Sequence, residues 1–242
     1  TFIVVAPDGN TPAPTAEAAT SLPAATATAT ATAPAPPPTP LPSPTTSPPS
    51  PTPEVPGAVL FTDDFANESS GWGTVMDKDT EVGYAGGQYR VAVYVPDYVA
   101  WGYAESPGVA DYDVEIDTFH AEGPLDNNYG PLLRYQVDAS DFYWFQISSD
   151  GYYSVDLHYQ GDFVNLVAWE PSPAINQGLE ATNRIRVVCA GDQFRFYVNG
   201  VHLVDVSDAT LSGGTLGLAA GTFDEPGTVI HFDNLVVRGI AP

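Results

Sequence analysis

Residues 183–206, NRIRVVCAGDQFRFYVNGVHLVDV, decide the fold. Three runs rich in β-branched and aromatic residues, Asn183–Ala190, Gln193–Val198 and Val201–Val206, are separated by Gly191-Asp192 and Asn199-Gly200. An Asn-Gly pair between two such runs predicts a two-residue hairpin with positive φ at both turn positions, because that turn follows the right-handed twist of its strands. Two tight turns in 24 residues leave no room for a helix, and the segment reads as an antiparallel meander.

Working outward, the same grammar repeats. Strands are expected at Ala58–Thr62, Gln88–Val95, Val99–Ala104, Tyr112–Ala121, Gly130–Val137, Phe142–Ser149, Tyr152–Tyr159, Asp162–Trp169, Thr215–Thr222 and Thr228–Val237. Turn signals fall between them at Ala85-Gly86-Gly87, Asp150-Gly151, Gln160-Gly161 and Ser212-Gly213-Gly214. No segment shows a sustained helical period. The expected fold is an all-β antiparallel sandwich over residues 57–242.

Upstream the composition changes. Residues 11–56 hold 15 Pro, 15 Ser or Thr and 11 Ala, with only Glu17, Leu22, Leu41, Glu54 and Val55 besides. So few apolar side chains do not offset ordering entropy, and the proline density points to polyproline II. Clustered Thr, Ser and Pro is also the composition of O-glycosylated stalks, with Thr26, Thr28, Thr30, Thr32, Thr39, Thr45 and Thr46 as acceptors. Residues 1–10 precede this stalk, and Thr1–Ala6 (TFIVVA) is an apolar run stopped by Pro7-Asp8-Gly9-Asn10. A lone strand needs a sheet to join. Donation of Phe2, Ile3, Val4 and Val5 to a neighbouring copy, with the stalk as spacer, predicts a filament subunit that self-associates head to tail.

The formal net charge is −23; residues 57–242 carry seven basic against 27 acidic residues, a net of −20. Such a surface repels phosphate backbones and anionic lipid, which argues against nucleic-acid and membrane-surface partners. No run approaches the ~20 apolar residues of a membrane span. Cys189 is the only cysteine, so no intrachain disulfide forms, and its apolar surroundings mark a core side chain. A chain beginning at Thr1 without a leader reads as a processed, secreted product or a fragment, expected outside the cell or at its surface. Asn67-Glu68-Ser69 matches the N-glycosylation pattern.

The order of several motifs carries a resemblance. The domain opens with Val59-Leu60-Phe61-Thr62-Asp63-Asp64-Phe65 and Ser70-Gly71-Trp72 and closes with His231-Phe232-Asp233-Asn234-Leu235-Val236-Val237. Between them lie Gly130-Pro131-Leu132-Leu133-Arg134-Tyr135, Phe142-Tyr143-Trp144-Phe145-Gln146-Ile147 and Phe196-Tyr197-Val198-Asn199-Gly200. This succession resembles the concanavalin A-like lectin/glucanase jelly roll, in particular bacterial modules related to the 3-keto-disaccharide hydrolase domain. The resemblance implies fold but not activity, since lectins, hydrolases and structural modules share it. In some members calcium ties the first and last strands together, which here implies Asp63, Asp64 and Asp233 as ligands, unless these acids simply cap strand ends.

Glu115-Ile116-Asp117 is the nearest match to the catalytic acids of laminarinase-type hydrolases. The second glutamate of that pattern is replaced by Phe119 and His120, and the run Asp111, Asp113, Glu115, Asp117 alternates with Tyr112, Val114, Ile116 and Thr118. A strand with one solvated acidic face explains it better, and no catalytic residue is assigned. Aromatic wealth gives the alternative function, a secreted carbohydrate-binding module on a glycosylated linker, with Trp101, Tyr103, Tyr129 and Arg134 as contacts to a polysaccharide. Such aromatics also fill sandwich cores. The leading expectation is a non-enzymatic filament or surface-layer subunit displaying this sandwich, with calcium as its sole structural ion.

Overall fold

The computed structural model describes residues 56–104 and 110–240. These form fifteen strands: β1 Pro56–Asp63, β2 Val75–Met76, β3 Thr80–Ala85, β4 Gln88–Val93, β5 Tyr98–Tyr103, β6 Tyr112–Glu122, β7 Asn127–Gln136, β8 Asp141–Ile147, β9 Tyr152–Tyr159, β10 Asp162–Pro171, β11 Thr182–Ala190, β12 Gln193–Val198, β13 Val201–Ser207, β14 Thr215–Thr222 and β15 Thr228–Ile240. No helix occurs among the described residues. Thr1–Asn10 and the stalk, with the strand donation and O-glycosylation expected of them, lie outside the described residues.

Two antiparallel sheets result. One has nine strands in the order β13-β12-β11-β6-β15-β4-β3-β2, with β1 added on β15; the other has six, β10-β9-β8-β7-β14-β5. The turn that decided the fold forms as expected: Asn199 and Gly200 have φ of 51° and 78° between β12 and β13. Two further strands, β2 and β3, are joined through Asp77, whose Oδ1 accepts the Asp79 and Thr80 amides at 2.8 Å. Their sequence hides them, because β3 (TEVGYA) contains a glycine and only one aliphatic side chain larger than alanine.

The sheets pack through a layer of alternate residues. Tyr143 meets Phe194 at 4.7 Å between ring centroids, and Phe145 meets Phe194 and Phe196 at 5.5 and 5.4 Å. Cys189 is fully buried in this layer, and burial pushes its thiol up to about 12. It is a core side chain rather than a nucleophile.

β15 is the hinge of the topology. It pairs with β6 along one edge, while its other edge takes β4 over Thr228–Phe232 and β1 over Leu235–Ile240. The change of partner coincides with an irregularity between Asp233 and Val236, where Asn234 has φ of 53°. Such a bulge re-aims a strand. It lets the first and last described strands meet.

Candidate functional site

The residues to which the resemblance assigns calcium accept hydrogen bonds from the chain. Asp63 Oδ1 accepts the Phe65 amide at 2.8 Å and Oδ2 accepts Trp72 Nε1 at 2.9 Å. That fixes the loop carrying Phe65 and Trp72, which pack on Tyr89 at 5.6 and 5.2 Å. Asp64 Oδ1 accepts the Ala66 amide at 3.2 Å, and Asp233 Oδ1 accepts the Asn234 amide at 2.7 Å. Among the described residues no group of three or more His, Cys, Asp or Glu side chains is placed to hold a metal ion. Asn67 is exposed on the same loop.

The acidic run of β6 sits on the outward face of the nine-stranded sheet. Arg184 of β11 grips Asp117 through two bonds, Nε to Oδ1 at 2.6 Å and Nη2 to Oδ2 at 2.8 Å. Arg186 does the same to Asp113, both bonds at 2.8 Å. Glu115 lies 3.8 Å from Arg184. The alternation expected from the sequence is real, and its acids have cationic cross-strand partners rather than a cleft.

The four residues expected to contact glycan are corrected by burial. Trp101, Tyr129 and Arg134 are each 1% exposed and Tyr103 is 6% exposed. Tyr129 belongs to the layer between the sheets. Arg134, at φ 53°, donates to the carbonyls of Leu211 (2.7 Å), Ala110 (3.1 Å) and Gly191 (2.5 Å). It pins three loops rather than facing solvent. The six-stranded sheet is buried on both faces over most of β5, β14, β7 and β8.

Open aromatic surface appears elsewhere, at the end of the six-stranded sheet where three loops converge. Tyr152 at the start of β9, Trp169 near the end of β10 and Phe223 just after β14 line a pocket of about 290 Å3 with Asp126, Ser148 and Asp150. Trp169 meets Phe223 edge to face at 6.0 Å. Tyr152 is 40% exposed. The pocket floor is set by the β8–β9 turn, where Asp150 Oδ1 takes a 2.5 Å bond from Ser148 Oγ. The Asp126 carboxylate, the Tyr152 hydroxyl and Trp169 Nε1 have no protein partner among the described residues. Partial burial, and then the charges of Asp150, Asp224 and Glu225, hold the Asp126 carboxyl above the usual carboxylate range. Trp169 and Tyr152 carry no local signal in the sequence that sets them apart from its other aromatic residues. Asp126 and Phe223 gave no signal, because their association depends on loops brought together by the fold.

No family model and no curated protein matches this chain. Solved structures do. A carbohydrate-binding module, CBM66 of Bacillus subtilis, shares 18% identity over 70% of this chain and 96% of its own, with a TM-score of 0.55. A B. subtilis protein of unknown function with a galectin-like fold covers 77% and 98% at 10% identity and TM-score 0.58. The catalytic domain of a Thermotoga petrophila endo-1,3-beta-glucanase (laminarinase) covers 78% and 100% at 11% identity and TM-score 0.55. The fold is the concanavalin A-like jelly roll. At these identities the likeness fixes the architecture alone, so what a jelly roll does here rests on its own residues.

Proposed function

We propose that this chain is a non-catalytic, extracellular carbohydrate-binding module, and that its ligand seats in the pocket of Tyr152, Trp169 and Phe223. The observation that carries the reading is the meeting of an exposed Tyr152 ring and half-buried Trp169 and Phe223 rings with polar atoms that have bonding capacity to spare. Sugar rings present apolar C–H faces that cover an indole or phenol. Their hydroxyls need acceptors and donors, which Asp126, Asp150, the Tyr152 hydroxyl and Trp169 Nε1 supply at the pocket wall. A pocket with apolar walls and a few convergent polar groups is the usual form of a small-ligand site. The CBM66 and galectin-like neighbours support the reading by fold, and the cationic partners of Asp113 and Asp117 support binding without hydrolysis.

The filament reading rests on Phe2–Val5 and the stalk, outside the described residues. The similar structures lend it no support. The Thr, Ser and Pro composition of residues 11–56 supports O-glycosylation of that stretch.

The test is an array of soluble and insoluble polysaccharides probed with the full chain, followed by calorimetry on any ligand retained. Trp169→Ala is expected to weaken binding at least about tenfold, since loss of a stacked aromatic anchor removes 1.4 kcal/mol or more. Unchanged affinity for every retained glycan would move the site elsewhere, and retention of none would end the carbohydrate reading.

A further inference from the structure

The loops that form the aromatic pocket bring acid with their rings. Asp126 comes from the β6–β7 loop and Asp150 from the β8–β9 turn, and both line the cavity. Asp224 and Glu225 follow Phe223 directly in the β14–β15 turn and are exposed. No Lys, Arg or His stands among the lining residues. The Asp126 carboxyl is held above its usual range by partial burial first and then by the charges of Asp150, Asp224 and Glu225, so these acids share one field.

Acids elsewhere on the domain are treated differently. Asp79 has Lys78, Glu81 has Arg90, Asp113 has Arg186 and Asp117 has Arg184. Arg134 is committed to three loop carbonyls. The pocket carboxylates have no such cation among the described residues, and their charge is left for whatever enters.

A neutral sugar seated here strips water from that charge without compensating it, which is costly. An anionic sugar adds repulsion to the same cost. An ammonium group removes both penalties and gains from the rings as well. Trp169 and Phe223 stand at 83° to each other with centroids 6.0 Å apart, a corner beside Tyr152, and the face of such a ring attracts a cation within ~6 Å of its centroid. We propose that the ligand is a glycan with free amino groups, of the class of unacetylated glucosamine polymers, its ammonium beside Asp126 and Asp150 and its ring against Trp169. This takes the pocket as the sugar site argued above and adds the charge of the sugar.

Calorimetry on the full chain with two short β-linked oligosaccharides of equal length tests it, one of glucosamine and one of N-acetylglucosamine. At about pH 6 the amine is largely protonated and the carboxylates are largely ionised. The glucosamine oligomer is expected to bind at least about tenfold more tightly. Raising NaCl from about 0.05 M to about 0.5 M should narrow that ratio, because charges in an open pocket are screened. Asp126→Asn is expected to weaken the glucosamine oligomer about fivefold or more. Asp162→Asn removes the same charge at the opposite end of β10 from Trp169 and should leave its affinity unchanged. Equal binding of the two oligosaccharides, with Trp169→Ala weakening both, would overturn the charge assignment and leave the pocket a site for neutral sugar. Equal losses in Asp126→Asn and Asp162→Asn would reduce the effect to attraction by net charge and defeat the proposal. A lysine oligopeptide of the same charge that binds as tightly and displaces the sugar would do the same, since the amino group alone would then be recognised. Binding of the glucosamine oligomer that Trp169→Ala does not weaken would place the ligand outside this pocket. Retention of no glycan of any charge would sink the sugar site itself, and this inference with it.

Discussion

Arg134 illustrates how a residue's chemistry is redirected by its surroundings. In the sequence it is one of seven basic residues in a very acidic chain, which invites a role in recognition. In the fold its guanidinium lies 4.8 Å over the Phe194 ring and its donors hold three loop carbonyls. Arg134→Met leaves those carbonyls without their donor, and at ~1 kcal/mol or more for each orphaned buried group the loss of stability is about 3 kcal/mol. Urea unfolding followed by tryptophan fluorescence measures it. Arg134→Lys is expected to recover only a minor part, because one ammonium does not span three carbonyls set at different angles. Asp63, to which the resemblance assigns calcium, is a parallel case: its Oδ2 accepts the indole N–H of Trp72 at 2.9 Å.

At the scale of elements, the pairing of β6 with β11 sorts exposed from sheltered charge. Asp113 and Arg186 have side chains 6% and 25% exposed, whereas Arg184, which holds Asp117, is 52% exposed. Desolvation makes the inner pair matter more. Asp113→Asn is expected to lower stability by about 1–3 kcal/mol and Asp117→Asn by less than about 1 kcal/mol. Raising NaCl to about 1 M should erase the second effect and leave most of the first, since screening acts on exposed pairs; parallel denaturation curves at two salt concentrations decide it. Strand boundaries show what was legible at this scale. Tyr152–Tyr159, Gln193–Val198 and Thr215–Thr222 are found as read, each bounded by strong turn residues. β2 and β3 were missed because an Asp-rich turn and an internal glycine blur the alternation that marks a half-buried strand.

For the whole molecule, acid is the relevant stress. His120 is fully buried, with Nε2 2.9 Å from the Glu122 carbonyl, and burial holds its ring below the usual imidazole range. His231 is lowered by burial first and then by Arg90. A lowered value in the folded state means that the unfolded chain binds the proton first as pH falls below about 6.5. Stability is therefore complete above that value and declines as pH drops through the folded-state values. Scanning calorimetry between about pH 7.5 and pH 5 should show Tm falling in that window, with a shallower slope in His120→Gln. The acidic surface acts in the opposite sense as its carboxylates take up protons and self-repulsion eases. The difference between the two proteins, rather than either slope alone, isolates the histidine.

What the sequence determined by itself was local: turn residues with their required φ, alternation along each strand, the acidic face of β6 and the break between stalk and sandwich. These are legible because they depend on neighbours a few positions apart. The tertiary structure decided which aromatic faces meet protein and which meet solvent. Tyr143 and Phe145 point into the core, and Phe142 and Trp144, one residue away, enter a second buried layer. The pocket of Asp126, Asp150, Tyr152, Trp169 and Phe223 joins positions nearly a hundred residues apart. No local pattern encodes that meeting, because sheet order and the convergence of loops at one end of the sandwich create it.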